Sequence, residues 1–208
     1  MKTFKWISSL VVLFTSLNSA AQVTTSQLQK GDILFIGTSG KLSKAIDKVT
    51  QTNQSTNFTH IGIVVSMEKG AWVLHADPKQ GVIKENVSAF ANNHKVAVYR
   101  FKENKQNVIE NALSNFSKYL GEPYNSTYIM EDKGYYCSEL IYELFATDSI
   151  FQLQPMTFKN PQTGKFNKTW IKHYKKLAIE IPEGKPGCNP NEMATNPNLV
   201  YIGNLRQE

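Results

Sequence analysis

Two apolar, β-branched runs restrict the fold most: FTHIGIVVSM at 58–67 and AWVLHAD at 71–77, separated only by Glu68-Lys69-Gly70. Runs of this kind flanking a Gly-containing turn read as a β-hairpin. A lone hairpin cannot bury its apolar faces, so other parts of the chain must cover it. Further strands are expected in GDILFIG (31–37), GVIKENV (81–87), KVAVYRF (95–101) and NLVYIG (198–203). Helical spacing recurs in KLSKAIDKVTQ (41–51), in NKQNVIENALSNFSKYLG (104–121) as one helix ended by Gly121, in CSELIYELF (137–145) and in KTWIKHYKKL (168–177). Strands cluster first and helices follow, the order of an α+β chain rather than a doubly wound sheet.

The 208 residues suffice for one packed domain. The first 21 residues stand apart. Lys2 and Lys5 precede an apolar stretch from Ile7 to Leu17, and the small residues Ser19 and Ala21 precede Gln22. That is the layout of a secretory signal peptide, with an apolar run too short to span a bilayer. The expected organisation is therefore a signal peptide at 1–21, a polar leader at 22–29 and a single domain at 30–208. The product would be exported, periplasmic or secreted, with no stable membrane span after cleavage. Removing 1–21 takes away two lysines and no acid, so the net charge falls from +6 to +4, 21 basic against 17 acidic residues. No basic cluster with interleaved aromatics is present, which argues against a nucleic-acid partner.

Chemistry concentrates on one thiol. Cys137 heads the helix whose inward stripe is Leu140, Ile141, Leu144 and Phe145. A cysteine in a first helical turn feels unpaired N–H groups, and with a basic partner its pKa can fall to roughly 3.5–7.5. The alternative is a small buried hydrophobe. Among the histidines, His94 at a turn and His173 on a lysine-rich helix face read as solvent-exposed. His60 and His75 lie on the two strands of the hairpin. A two-residue loop at Lys69-Gly70 would put both on one face, with His75 opposite Val64 and about 7–8 Å diagonally from His60. Gly62 leaves room on that face, and a helix laid there would bring thiol, imidazole and second imidazole into sequence: nucleophile, base and orienting group. The rival readings are an inert histidine pair or, with Asp77, a zinc set. No His-x-x-x-His or Cys-x-x-Cys spacing accompanies them, so no metal or cofactor is expected. Two cysteines in an exported chain invite a Cys137–Cys188 disulfide. Cys188 lies in the loop PEGKPGCNPNE, nothing in the sequence brings the two together, and Cys188 is expected outside any such bridge.

The ordered set GDILF, FTHIGIVV, AWVLHAD, GVIKENV, GEPYN and YYCSELIYELF resembles the YiiX/YaeF group of circularly permuted, papain-like, NlpC-type cysteine hydrolases. In that group the histidine strand precedes the cysteine helix, the reverse of ordinary papain-like order. The tail PGCNPNEMATNPNLVYIG is also similar, so the resemblance runs from about residue 30 to 203. It implies a small antiparallel sheet or partial barrel packed against helices, with Cys137 as nucleophile at a helix N-terminus and His60 as general base. The third position falls on His75, where many members carry an acid; this His–His–Cys set looks more like that of lecithin retinol acyltransferase relatives. The implied function of the 30–208 domain is cleavage of an amide through a thioester, on a cell-wall peptide, a peptidoglycan fragment or a similar small amide. Alternatives are a lipid acyltransferase or esterase and a non-catalytic binding module. The oxyanion would be held by the Cys137 N–H and Tyr124, with Tyr128, Tyr135 and Tyr136 lining the substrate cleft.

Overall fold

A computed structural model describes residues 21–37, 40–50, 52 and 56–206. The expected signal peptide at 1–21 thus lies, but for Ala21, outside the described residues. Nine strands are present among the described residues: β1 (Gln22–Val23), β2 (Ile33–Gly37), β3 (Phe58–Ser66), β4 (Trp72–Asp77), β5 (Gly81–Asn86), β6 (Val96–Phe101), β7 (Gln154–Pro155), β8 (Pro186–Gly187) and β9 (Leu199–Leu205). The α-helices are α1 (Gly40–Val49), α2 (Val87–Ala91), α3 (Gln106–Leu113), α4 (Cys137–Leu144), α5 (Lys168–Leu177) and α6 (Pro190–Ala194). This is the expected α+β arrangement. No helix among the described residues is long and apolar enough to cross a membrane.

The sheet runs β1-β9-β6-β2-β3-β4-β5, antiparallel except for the parallel β1–β9 pair, and β7–β8 form a separate ribbon. It is larger than the small sheet expected, partly because the leader joins it. Val23 and Leu28 are buried, and β1 pairs with the last strand. Residues 22–29 are therefore tied into the fold by apolar anchors that a polar average conceals.

Alternation along the strands divides the apolar residues into two cores. Ile33, Phe35, Ile61, Ile63 and Leu74 pack with Leu140, Ile141 and Leu144 of α4. Leu34, Ile36, Val64 and Val73 pack with Phe90 of α2 on the other face. The helix expected over 104–121 breaks after Leu113 into a 3₁₀ turn at Phe116–Tyr119. There the Ser114 hydroxyl donates to the Asn111 carbonyl, 2.7 Å, competing with helix continuation.

The β3–β4 hairpin differs from expectation in register. Ile63 pairs with Leu74 and Val64 with Val73, and the register shifts before Ser66↔Trp72. Carried one step further, this sets His75 across from Gly62, not Val64. The odd connection 67–71 and the one-residue shift together preserve parity, so His60 and His75 do share a face.

Candidate active site

Cys137 opens α4, and the turn before it is built to place it. Glu139, the third residue of the helix, accepts the Tyr136 N–H at 3.0 Å and the Asn125 side-chain amide at 3.1 Å. Such an acid caps orphan donors at a helix start. Burial pushes the Glu139 carboxyl up to about 7, against the pull of those two donors. Gly134, at φ +93°, lets the approaching chain lie against Pro123, whose carbonyl a Cβ would strike. Glu139 was absent from the sequence-derived site; its signal was an acid three residues after Tyr136.

α4 does not lie on the face carrying His60 and His75. It packs against Ile61 and Ile63, while the space beside Gly62 is taken by Val73 and Phe90, 2.7 and 2.9 Å from where a Cβ would stand. Phe90 also packs against both histidine rings. Thiol and imidazoles therefore approach from opposite sides of the sheet.

The sheet provides an opening. Val64 turns its N–H and C=O toward β2, bonding Asp32 and Gly31. By alternation the Ile61 N–H points toward β4, where the ladder has already ended. That N–H reaches the Cys137 sulfur, together with the N–H groups of Ser138 and Cys137 and the Ser138 hydroxyl. Burial outweighs them and pushes the thiol up to about 11. The helix start alone does not yield a thiolate here.

His60 directly precedes Ile61. Its Nε2 lies 2.9 Å from His75 Nδ1, and His75 Nε2 lies 2.9 Å from Glu85 Oε1. Burial first, then the neighbouring His75, lowers the His60 pKa to about 3, against Asp77. Burial likewise lowers His75, opposed by Glu85. Glu85 was missed in the sequence. It lies on β5, two residues beyond Ile83, the partner of His75, so it is a same-face diagonal neighbour. The spacing His75…Glu85 across the 78–80 turn was the available signal.

Two cavities meet at Ile46, Thr59, Tyr124 and Tyr128. One, of about 120 Å³, contains Cys137, Tyr136, Trp170 and Cys188; the other, of about 320 Å³, contains His60, His75, Asp77 and Glu85. Tyr124 and Tyr128 are hydrogen-bonded to each other, and burial pushes both phenols up. The Tyr136 hydroxyl accepts the Cys188 N–H at 3.1 Å and donates to the Met130 sulfur at 3.3 Å, so it braces the wall. Tyr135 is not part of either lining and stacks edge-on against Tyr119. Cys188 is a free thiol, as is Cys137, yet the fold does bring them to one cavity, with Ser138 Oγ donating to the Cys188 carbonyl at 3.0 Å. His94 and His173 are half-buried rather than exposed and both line the His60 cavity, and His173 donates from Nε2 to the Ser126 carbonyl at 2.7 Å.

A family model described as permuted papain-like amidase enzyme, YaeF/YiiX, C92 family, matches residues 27–203. The protein YiiX of Escherichia coli strain K12 is 28% identical over 140 residues, 64% of this chain and 65% of that protein. The match thus spans somewhat less than two thirds of that relative's length. The crystal structure of the metalloprotein YiiX from Escherichia coli O157:H7 superposes with a TM-score of 0.69 at 22% identity, covering 84% of this chain and 96% of that one. At that identity the likeness concerns the fold.

Proposed function

Because this chain belongs to the permuted papain-like amidase family of YaeF and YiiX, we propose that it cleaves an amide bond with Cys137 as nucleophile and His60 as general base. The hydrogen-bonded chain from His60 through His75 to Glu85 carries the reading. The Glu85 carboxylate can only accept, so His75 Nε2 carries the hydrogen and His75 Nδ1 becomes an acceptor. His60 Nε2 must then donate, which leaves the lone pair of its Nδ1 free to take a proton. The same bonds serve when His60 becomes charged, with Glu85 as the counter-charge one ring away.

In this mechanism both groups rest neutral. The Cys137 proton passes to His60 Nδ1 as sulfur attacks the carbonyl carbon. The oxyanion forms beside the Cys137 and Ile61 N–H groups, with the Tyr124 hydroxyl a further donor; one such donor is typically worth about 2.7–4 kcal/mol of barrier. His60 returns the proton to the nitrogen of the breaking C–N bond, the amine leaves, and water hydrolyses the thioester. Among the described residues no three His, Cys, Asp or Glu side chains converge as a metal set, and no step is routed through one. The signal-like leader supports export, so the substrate would be met outside the cytoplasm.

Incubation with peptidoglycan fragments, simple N-acyl amines and phospholipid, read by mass spectrometry, tests the reaction. Amine release by the native chain and not by Cys137→Ala is expected; release that survives Cys137→Ala rejects the mechanism. A second reading, acyl transfer to an acceptor other than water, shares every step to the thioester and is favoured by the apolar cavity. A competing alcohol in the incubation separates the two.

A further inference from the structure

Helix α5 carries a face that its own stability does not explain. Lys168, Ile171, Lys172, Lys175 and Lys176 are exposed and recur at helical spacing, so they form one outward stripe, while Trp170 and Tyr174 are buried on the opposite side. No Asp or Glu occurs between Asp148 and Glu180, a stretch that holds six lysines. Lysines in the last turn suit the helix dipole, but Lys168 takes the first helical position, beside the Asn167 cap, where a cation is unfavourable. Lys168 and Lys172, and Lys172 and Lys176, are like charges four residues apart, which destabilise a helix further. Among the described residues none of these four lysines forms a salt bridge. Helix α1 packs against α5 and adds the exposed Lys41, Lys44 and Lys48, spaced to share a face. Ile171 is 47% exposed in the middle of the α5 stripe. Both helices border the active site, since Ile46 lines both cavities, Trp170 the Cys137 cavity and His173 the His60 cavity.

We propose that the α5 face, with α1 beside it, docks on the surface of an anionic lipid bilayer, the lysines on headgroup phosphates and Ile171 entering the apolar boundary beneath them. The mutual repulsion of the lysines, unfavourable in the free protein, is relieved when phosphates lie among them. The exposed isoleucine selects this partner. A soluble polyanion satisfies the lysines but leaves Ile171 in water, whereas a bilayer interface takes a basic helix face and its apolar residue together. A nucleic acid is a polyanion of that kind, and the α5 rings that could stack on its bases, Trp170 and Tyr174, are buried. In the docked state the helices that line the two cavities are the ones nearest the lipid. The proposal concerns binding and stands whether or not Cys137 is the nucleophile.

The test measures partitioning of the full chain onto vesicles by sedimentation. Phosphatidylcholine vesicles report binding by apolar segments, the 1–21 leader included, and equimolar phosphatidylcholine and phosphatidylglycerol add the anionic surface. Binding should be stronger on the mixed vesicles, and the excess should vanish in about 1 M salt, where charges are screened within about 3 Å. Lys168→Gln, Lys172→Gln and Lys176→Gln combined should weaken binding to mixed vesicles roughly a hundredfold, since each basic residue at such a surface contributes about fivefold. The melting temperature of that variant should hold or rise, because like charges have been removed. The same change at Lys30, Lys79 and Lys102, exposed lysines away from both helices, alters net charge equally and should weaken binding far less. Ile171→Ser should also weaken binding to the mixed vesicles, with the salt dependence retained. Equal losses from the two lysine triples would reduce the effect to net charge and overturn the proposal, as would equal binding to neutral and mixed vesicles. A lowered melting temperature in the α5 triple would make those lysines structural and reject it too. Unchanged binding by Ile171→Ser would assign the lysines to a soluble polyanion and exclude the bilayer.

Discussion

A neutral imidazole next to a general base orients it but does little to hold the charge the base acquires. His75 would be a weak third member if the chain ended there. Glu85 changes that, because its carboxylate fixes the hydrogen positions of both rings and supplies the counter-charge at a remove. Glu85 and His75 are thus positioning residues acting through His60. Glu85→Gln should lower kcat by about 10–100-fold, at and below the lower end of the range for general acid–base assistance because Glu85 acts through the base, with KM little changed because the lost interaction matters most as charge develops. Glu85→Asp, which keeps the carboxylate on a shorter stem, should lose less. His75→Glu places a carboxylate directly on His60 but beside Glu85, where two acids repel. It should therefore recover activity best in the Glu85→Gln background. Kinetics and melting temperature measured on the same samples decide the point: Glu85→Gln with native kcat and a lowered melting temperature would leave it a structural partner of His75.

At the scale of elements, β3 carries the site on both of its faces. Ile61 anchors α4 on one, and Gly62 admits Phe90 of α2 against the histidine rings on the other. Gly62→Ala should cost about 1–3 kcal/mol of stability through overpacking, read by denaturant titration. It should also lower turnover, since the atoms displaced include, besides Val73, the Phe90 ring that packs against His60 and His75. Unchanged turnover in a well-folded Gly62→Ala would separate Phe90 from the histidine geometry. The hairpin, the helix headed by Cys137 and the shared face of His60 and His75 were legible in the sequence, because period-two and period-3.6 patterns report faces. Which side of the sheet α4 covers was not legible. Gly62 offers room on one side and Ile61 offers apolar area on the other, and the apolar area won. Nor was the parting of β3 from β4 beyond the Ile63–Leu74 pair, which leaves the Ile61 N–H outside the ladder, because the point where a ladder ends leaves no mark in residue type. The role of Glu85 needed the β4–β5 register, and the 22–29 leader concealed two anchors, Val23 and Leu28, among polar neighbours.

The whole molecule pays for burying its site in acids that cannot easily ionise when folded. Burial pushes Cys137 from 9.0 to about 11, Cys188 from 9.0 to about 12 and Tyr128 from 10.0 to about 12, and it also raises Tyr124, Tyr136 and Tyr174. For an acid whose folded pKa is raised, the unfolded chain releases its proton first, so stability is full below the unfolded pKa and is lost as pH climbs toward the folded one. All six groups act in that direction. Their effects add as the pH climbs above about 9. The acid side is different because its groups oppose each other, with His60 and His75 lowered by burial and Glu139 and Glu192 raised by it. His60, lowered from 6.5 to about 3, destabilises the fold as pH falls below 6.5, while Glu139, raised from 4.5 to about 7, favours it between 7 and 4.5. Stability should therefore change little from about pH 8 down to about pH 4.5 and fall steeply between about pH 9 and 11. Urea midpoints measured under reducing conditions across that range test the asymmetry. Cys137→Ala combined with Cys188→Ala should soften the alkaline fall by removing two of its contributors. An alkaline limb as shallow as the acid one would mean that water reaches these thiols and phenols in the folded chain, and with it the neutral resting pair from which the mechanism starts would be lost.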